Sequence, residues 1–157
     1  MIPNLFSKQE IPKEIPEGMQ KIVNKLKKCK TKEECLETAY AELTKSHSGS
    51  MCGVWRHFPT LFIRDINKLW KTRKLACTSL SYLLRVLLIK SWQFREEDIK
   101  YKINMIWICP HLFLSANTGK MWVNVDVWGK AAGVPFGECA TWGRWFSGMA
   151  LLFKKML

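Results

Sequence analysis

The spacing of apolar residues changes character near residue 100. Before that point it is helical. Leu36, Ala39, Tyr40 and Leu43 fall on one face of a helix over 32–46. Thr31 opens it as an N-cap, and Glu33 and Glu34 occupy the first turn, where acidic side chains suit the helix dipole. A helix over 18–30 precedes it, and Leu61, Phe62, Ile66 and Leu69 predict an amphipathic helix over 60–70. The strongest pattern is CTSLSYLLRVLLIKS at 77–91. Leu80, Leu83, Leu84, Leu87 and Leu88 keep an i, i+3, i+4 rhythm, and Val86 and Ile89 widen the stripe. This helix is expected to be buried, with Cys77 at its start. Residues 46–53, SHSGSMCG, read as a loop.

After the charged break from Arg95 to Lys100 the period becomes that of strands. YKINMIWI at 101–108 is β-rich and bounded by Pro110, and HLFLSA and MWVNVDVW flank the turn sequence Asn117-Thr118-Gly119-Lys120. Leu112, Leu114 and Ala116 match Met121, Val123, Val125 and Val127 on an apolar face. His111, Phe113 and Ser115 share the other face with Trp122, Asn124 and Asp126. A one-residue slip would invert a strand, so matching the apolar faces restricts the register. A loop of two residues, Thr118-Gly119, or of four, Asn117 to Lys120, satisfies the match. Either sets His111 directly opposite Asp126, with Cβ atoms about 5 Å apart. The remainder, with Gly129, Gly133, Pro135, Gly137 and Gly143, is turn-rich before a last apolar segment. Helices first and strands second make the class α+β. An extended arm over 1–17, where Pro3, Pro12 and Pro16 sit among charges, is expected to precede one domain over 18–157.

The length of 157 residues suits one domain with a sizeable core, and 48% hydrophobic against 24% charged residues excludes disorder. Eight Trp and eight Phe are expected mainly in that core. The formal charge of +12 favours acidic partners, anionic surfaces or nucleic acid. The lysines are spread along the chain without an interleaved aromatic-and-basic RNA-binding motif, so nucleic acid is not the expected partner. No apolar run reaches the about 20 residues of a membrane span. The run 83–89 is short and contains Arg85, and the closing WFSGMALLFKKML is of a length for a docking or interfacial helix. The first residues carry charges and prolines instead of an apolar export signal, which predicts a reducing, cytoplasmic setting. Free thiols are therefore expected at Cys29, Cys35, Cys52, Cys77, Cys109 and Cys139. No Cys-x-x-Cys pair occurs, and Cys52 with His57, or Cys109 with His111, lacks a full ligand set. No metal and no cofactor are expected.

A strand His beside an Asp is either a surface hydrogen bond or a catalytic pair. In the second case the carboxylate fixes the imidazole tautomer and stabilises its charged form. That reading requires a nucleophile, and Cys77 is the best placed of the six thiols. At the start of a buried helix, unpaired N–H groups and the helix dipole favour a thiolate, and a nearby His favours it further. The Cys77 backbone N–H is also a donor for an oxyanion. Cys109, on the His111 face, is the rival but lacks the dipole; the bland alternative for Cys77 is a small buried hydrophobe.

Taken together, CTSLSYLLRVLLIKSW and HLFLSANTGKMWVNVDVW resemble the nucleophile helix and His–Asp strands of the transglutaminase-like family, within the papain-like cysteine enzymes. The chain order Cys, His, Asp is that of the family, with 34 residues from Cys77 to His111 and 15 from His111 to Asp126. The resemblance covers about residues 36–140. It departs where Trp92 stands in place of a frequent Gly, where Phe113 alone supplies an aromatic after His111, and where Val127 replaces a common Pro after Asp126. The resemblance implies a buried nucleophile helix packed on a small antiparallel sheet. It also implies thiol-dependent acyl transfer or hydrolysis on a peptide or protein amide, with Cys77, His111 and Asp126 as catalytic residues. A second oxyanion donor is expected upstream of the Cys, at Trp55 or Trp70, and Trp122 would wall the cleft. The expected partner is a peptide or protein substrate, acidic to suit the basic surface. Two alternatives are a noncatalytic transglutaminase-like module that binds a protein, and a basic nucleic-acid-binding protein.

Overall fold

The computed structural model describes residues 9–49, 63–106 and 109–141. Its elements are α1 (Glu17–Leu26), α2 (Lys32–Ser46), β1 (Ser48–Gly49), α3 (Ile66–Lys71), β2 (Lys74–Leu75), α4 (Cys77–Lys90), β3 (Ile99–Ile106), β4 (Cys109–Asn117) and β5 (Trp122–Val125). Short 3-10 turns lie at Glu96–Asp98 and Gly129–Ala132. β1 and β2 form a parallel ladder, and β3, β4 and β5 an antiparallel sheet in that order, so the class is α+β.

Local chemistry sets the helix bounds. The Thr31 side chain accepts from the Glu34 N–H at 3.1 Å and starts α2 at Lys32, as its sequence predicts. α1 stops at Leu26, before the lysine-rich turn, and so falls short of the helix over 18–30 that the sequence predicts. α3 starts at Ile66 because the Asp65 carboxylate accepts from the Asn67 and Lys68 N–H groups at 2.8 and 3.4 Å. Residues 60–62 of the expected helix, and the closing apolar segment, lie outside the described residues. Within the stretch expected to be a loop, Ser48 and Gly49 pair with Lys74 and Leu75.

α4 is the axis of the core. Every residue from Ser79 to Leu88 is buried. Its leucines pack with Met19 and Leu26 of α1, Leu36 and Leu43 of α2, and Leu114, Ala116 and Val125 of the sheet. Each such side chain contributes about 1.5–3 kcal/mol when removed from water. Apolar neighbours on several sides explain why the stripe in the sequence is so wide.

Arg85 is the exception, a buried cation in the middle of α4. Its guanidinium meets the Glu96 carboxylate at 2.7 and 2.9 Å from Nη2, donates to the Gln9 carbonyl and lies 5.9 Å from the Tyr101 ring centre. Two further side chains of the same helix hold the arm: Tyr82 donates to the Glu10 carbonyl at 3.1 Å and Lys90 to the Lys13 carbonyl at 2.9 Å. Ile11 and Ile15 pack on the core beneath these bonds. Removing Glu96 leaves a buried guanidinium without its counter-charge. Glu96→Ala is therefore expected to destabilise the fold by about 2 kcal/mol, below the full cost of a broken buried pair because Glu96 itself is partly exposed. Adding Arg85→Met should recover part of that loss in a urea titration, since the penalty comes from the unpaired charge. No recovery in the double variant would show that the attraction itself dominates.

The hairpin register differs from expectation by two residues. Leu114 faces Val125, Ser115 faces Asn124, Ala116 faces Val123 and Asn117 faces Trp122. The turn is centred on Gly119-Lys120, closed by the Thr118 N–H donating to the Met121 carbonyl at 3.0 Å. Gly119 has φ +94°, a left-handed conformation that favours glycine, and the Asn117 side chain accepts its N–H at 2.9 Å. A shift of two preserves the faces, so the apolar match survives. The consequence is that Asp126 is not directly opposite His111. It follows Val125, just past the end of β5, and lies along the hairpin from His111.

Candidate active site

Cys77 is the first residue of α4 and is partly exposed. Thr31 and Asp65 cap the helices that follow them, but Ala76 has no side chain able to cap α4. The N–H groups of the first turn, that of Cys77 among them, have no acceptor within the helix. The β1–β2 ladder leads the chain into this position, since Leu75 is buried beside Gly49 one residue before the N-cap.

His111 is buried on β4. Its Nε2 lies 2.7 Å from Asp126 Oδ2, and the Cys77 thiol is close enough to act on the same imidazole. With Nε2 engaged by the carboxylate, Nδ1 is the atom left for the thiol. The ring lies 4.9 Å from that of Trp128 and stacks at 6.2 Å on that of Phe113. Burial opposes a charged imidazole here, but the hydrogen bonds and charges of Asp126 and Cys77 outweigh it and push His111 up to about 9. His111 therefore carries a proton at neutral pH. His47 supplies the contrast. It is also buried, yet its partners are the Ser46 hydroxyl and the Trp70 carbonyl. Burial prevails there and holds His47 below its ordinary value.

Asp126 is buried and accepts three hydrogen bonds: from His111, from the Gly129 N–H at 2.7 Å and from the Ala140 N–H at 2.8 Å. The 3-10 turn after Asp126 brings the Gly129 amide back onto the carboxylate. A Cβ at Gly129 would stand 2.6 Å from Asp126 Oδ2, so only glycine permits this approach. Asn104, across β3–β4 from His111, donates to the Ala140 carbonyl at 2.6 Å and fixes that residue from its other side. Tyr40 of α2 lies close enough to feel the Asp126 charge. Burial first, and that charge second, push its phenol up to about 12. Its hydroxyl has no hydrogen-bond partner among the described residues.

Thus the structure brings Cys77, His111 and Asp126 together, with the imidazole hydrogen-bonded to the carboxylate and the thiol near the ring. It does not bring Trp70 or Trp122 there. Trp55 lies outside the described residues. Trp70 packs on His47 at 4.5 Å and against Gly18. Trp122 shares the sheet face of His111 and Asp126 but sits near the turn, about 13 Å along the strand from Asp126, with Lys100 Nζ 4.3 Å from its ring centre. The aromatic wall beside His111 is Trp128, which no sequence motif singles out. Among the described residues no three or more His, Cys, Asp or Glu side chains converge on a site for a metal ion. No described helix is long and apolar enough to cross a membrane. Comparison with known protein families, curated proteins and solved structures finds no match to this chain.

Proposed function

We propose that the protein is a transglutaminase-like cysteine enzyme that transfers or hydrolyses the acyl group of a peptide or protein amide in a cytoplasmic setting. The observation that carries this reading is the placement of His111, a buried imidazole held 2.7 Å from the Asp126 carboxylate beside a thiol at an uncapped helix start. That arrangement is an acid poised next to a nucleophile.

Cys77 Sγ attacks the carbonyl carbon as a thiolate, forming a C–S bond and an oxyanion. The Cys77 N–H, directed outward by the start of α4, donates to that oxyanion. His111 passes its proton to the amide nitrogen, the C–N bond breaks and the amine departs, leaving a thioester. Water, or a second amine, then gives its proton to His111 while attacking the thioester, and the Cys77 thiolate leaves. Asp126 holds Nε2 throughout, so the ring turns neither away from Cys77 nor into the wrong tautomer. The surplus of lysines and arginines favours an acidic peptide or protein as substrate.

Alkylation tests the reading without knowledge of the substrate. A limiting dose of iodoacetamide at neutral pH should modify Cys77 before the other five cysteines, about tenfold or more faster than an ordinary thiol. Cys35 is an internal contrast, because burial pushes its thiol up to about 11. The advantage of Cys77 should disappear in His111→Ala. Slow, indiscriminate labelling of the wild-type cysteines would sink the proposal.

A further inference from the structure

At the end of α4 opposite Cys77, the chain does something costly. Trp92 follows the C-cap Ser91 with φ +69°, the left-handed conformation in which a Cβ crowds the backbone. Helices usually place glycine there. Nothing in the packing offsets the strain, since the Trp92 side chain is 84% exposed. Strained backbone that supports no packing points to a role outside the fold.

The surroundings are cationic. Gln93 donates to the Cys29 carbonyl at 3.0 Å, which ties the turn after α4 to the turn between α1 and α2. Lys27, Lys28 and Lys30 of that second turn form no salt bridge among the described residues, and Lys90 keeps its charge while donating to the Lys13 carbonyl. Of the carboxylates nearby, Glu34 accepts from the Lys30 N–H at 2.8 Å, Asp98 pairs with Lys32 and Glu97 with Arg95. Lys27 Nζ lies 5.5 Å from the Trp92 ring centre. Lys27, Ser91, Trp92 and Gln93 line an open hollow of about 320 Å³.

We propose that this end of the molecule docks on an anionic phospholipid surface. The Trp92 ring enters the headgroup layer, a lipid phosphate occupies the hollow beside Lys27, and Lys28, Lys30 and Lys90 spread over the neighbouring headgroups. Three features favour a bilayer. The aromatic projects, as suits a soft surface, and its indole has the amphipathic character of interfacial tryptophan. Long lysine stems reach phosphates while covering apolar surface, and each cation close to an anionic leaflet adds to binding. Single-strand nucleic-acid sites instead stack successive bases on several aromatics, and Trp92 is the one aromatic lining this hollow.

The test is co-sedimentation of the full chain with vesicles of phosphatidylcholine alone or with about one third phosphatidylserine, at low and moderate salt. Binding is expected only to the anionic vesicles, weakening as salt rises. Trp92→Gly removes the ring and relieves the strained φ, so it should unfold at the same temperature or higher yet lose binding at least about fivefold. Lys27→Glu with Lys28→Glu should lose a similar factor. Full vesicle binding by Trp92→Gly, or none by the wild type, overturns the proposal. So does Trp92-dependent retention on a single-stranded oligonucleotide in the absence of vesicle binding, which would reassign the surface to nucleic acid.

Discussion

Asp126→Ala is expected to destabilise the protein by about 4 kcal/mol, a large part of the 5–15 kcal/mol that holds a domain of this kind together. Three donors converge on the carboxylate: the His111 imidazole and the buried amides of Gly129 and Ala140. Each is left without an acceptor, and an orphaned buried donor costs about 1–3 kcal/mol, more when it is charged. The loss should be focused. The segment following Asp126 is held to the hairpin through these amides, so hydrogen exchange at Gly129 and Ala140 should quicken before that of α4. Asp126→Asn retains the volume but presents its amide nitrogen to a donor whichever way it is turned, so it should recover only part of the stability. A shift below about 1 kcal/mol in the urea-derived stability of Asp126→Ala would show the carboxylate to be dispensable for folding.

Stability should also decline as the solution is made alkaline. In the unfolded chain His111 titrates near its ordinary 6.5, and in the folded protein near 9. The folded state thus holds this proton more tightly. The stabilisation is fully present below about pH 6.5 and is lost as the pH rises through about 9. Its size is about 3 kcal/mol, and its source is the attraction of Asp126 and Cys77 for the imidazolium. Urea midpoints measured between pH 6 and 10 should therefore slope downward, and His111→Gln should flatten that slope. An unchanged slope in His111→Gln would assign the effect to other groups. The same titration bounds the chemistry: once His111 is neutral, the leaving amine has no proton donor, so any amidase activity should fail over the same range.

Much of this frame was legible in the sequence because repetition announces it. The leucine rhythm of α4 and the cap and acidic first turn of α2 are local signals, and each element forms where its signal lies. β1 and β2, two residues each, are too short for any period to register. The hairpin shows a subtler limit. Alternation decides which face a residue occupies but cannot separate registers that differ by two, and there the φ requirement of Gly119 chose. His111 and Asp126 still meet, because a shared face is what their contact needs. The remaining partners of Asp126 are backbone amides, which carry no side-chain signature. Gly129, three residues after Asp126, was the available clue, and its meaning depends on a close approach that only the folded chain displays.

The arm attached along α4 illustrates recognition without a code. Among the described residues Gln9, Glu10 and Lys13 are grasped by their carbonyl oxygens and not by the groups that distinguish them. Every contact of this kind asks the arm for an acceptor and none for a donor, so Pro12, which has no N–H to give, sits among them without loss. Arg85, Tyr82 and Lys90 are bound to their positions, while the residues they hold are free to drift in identity so long as the strand stays extended.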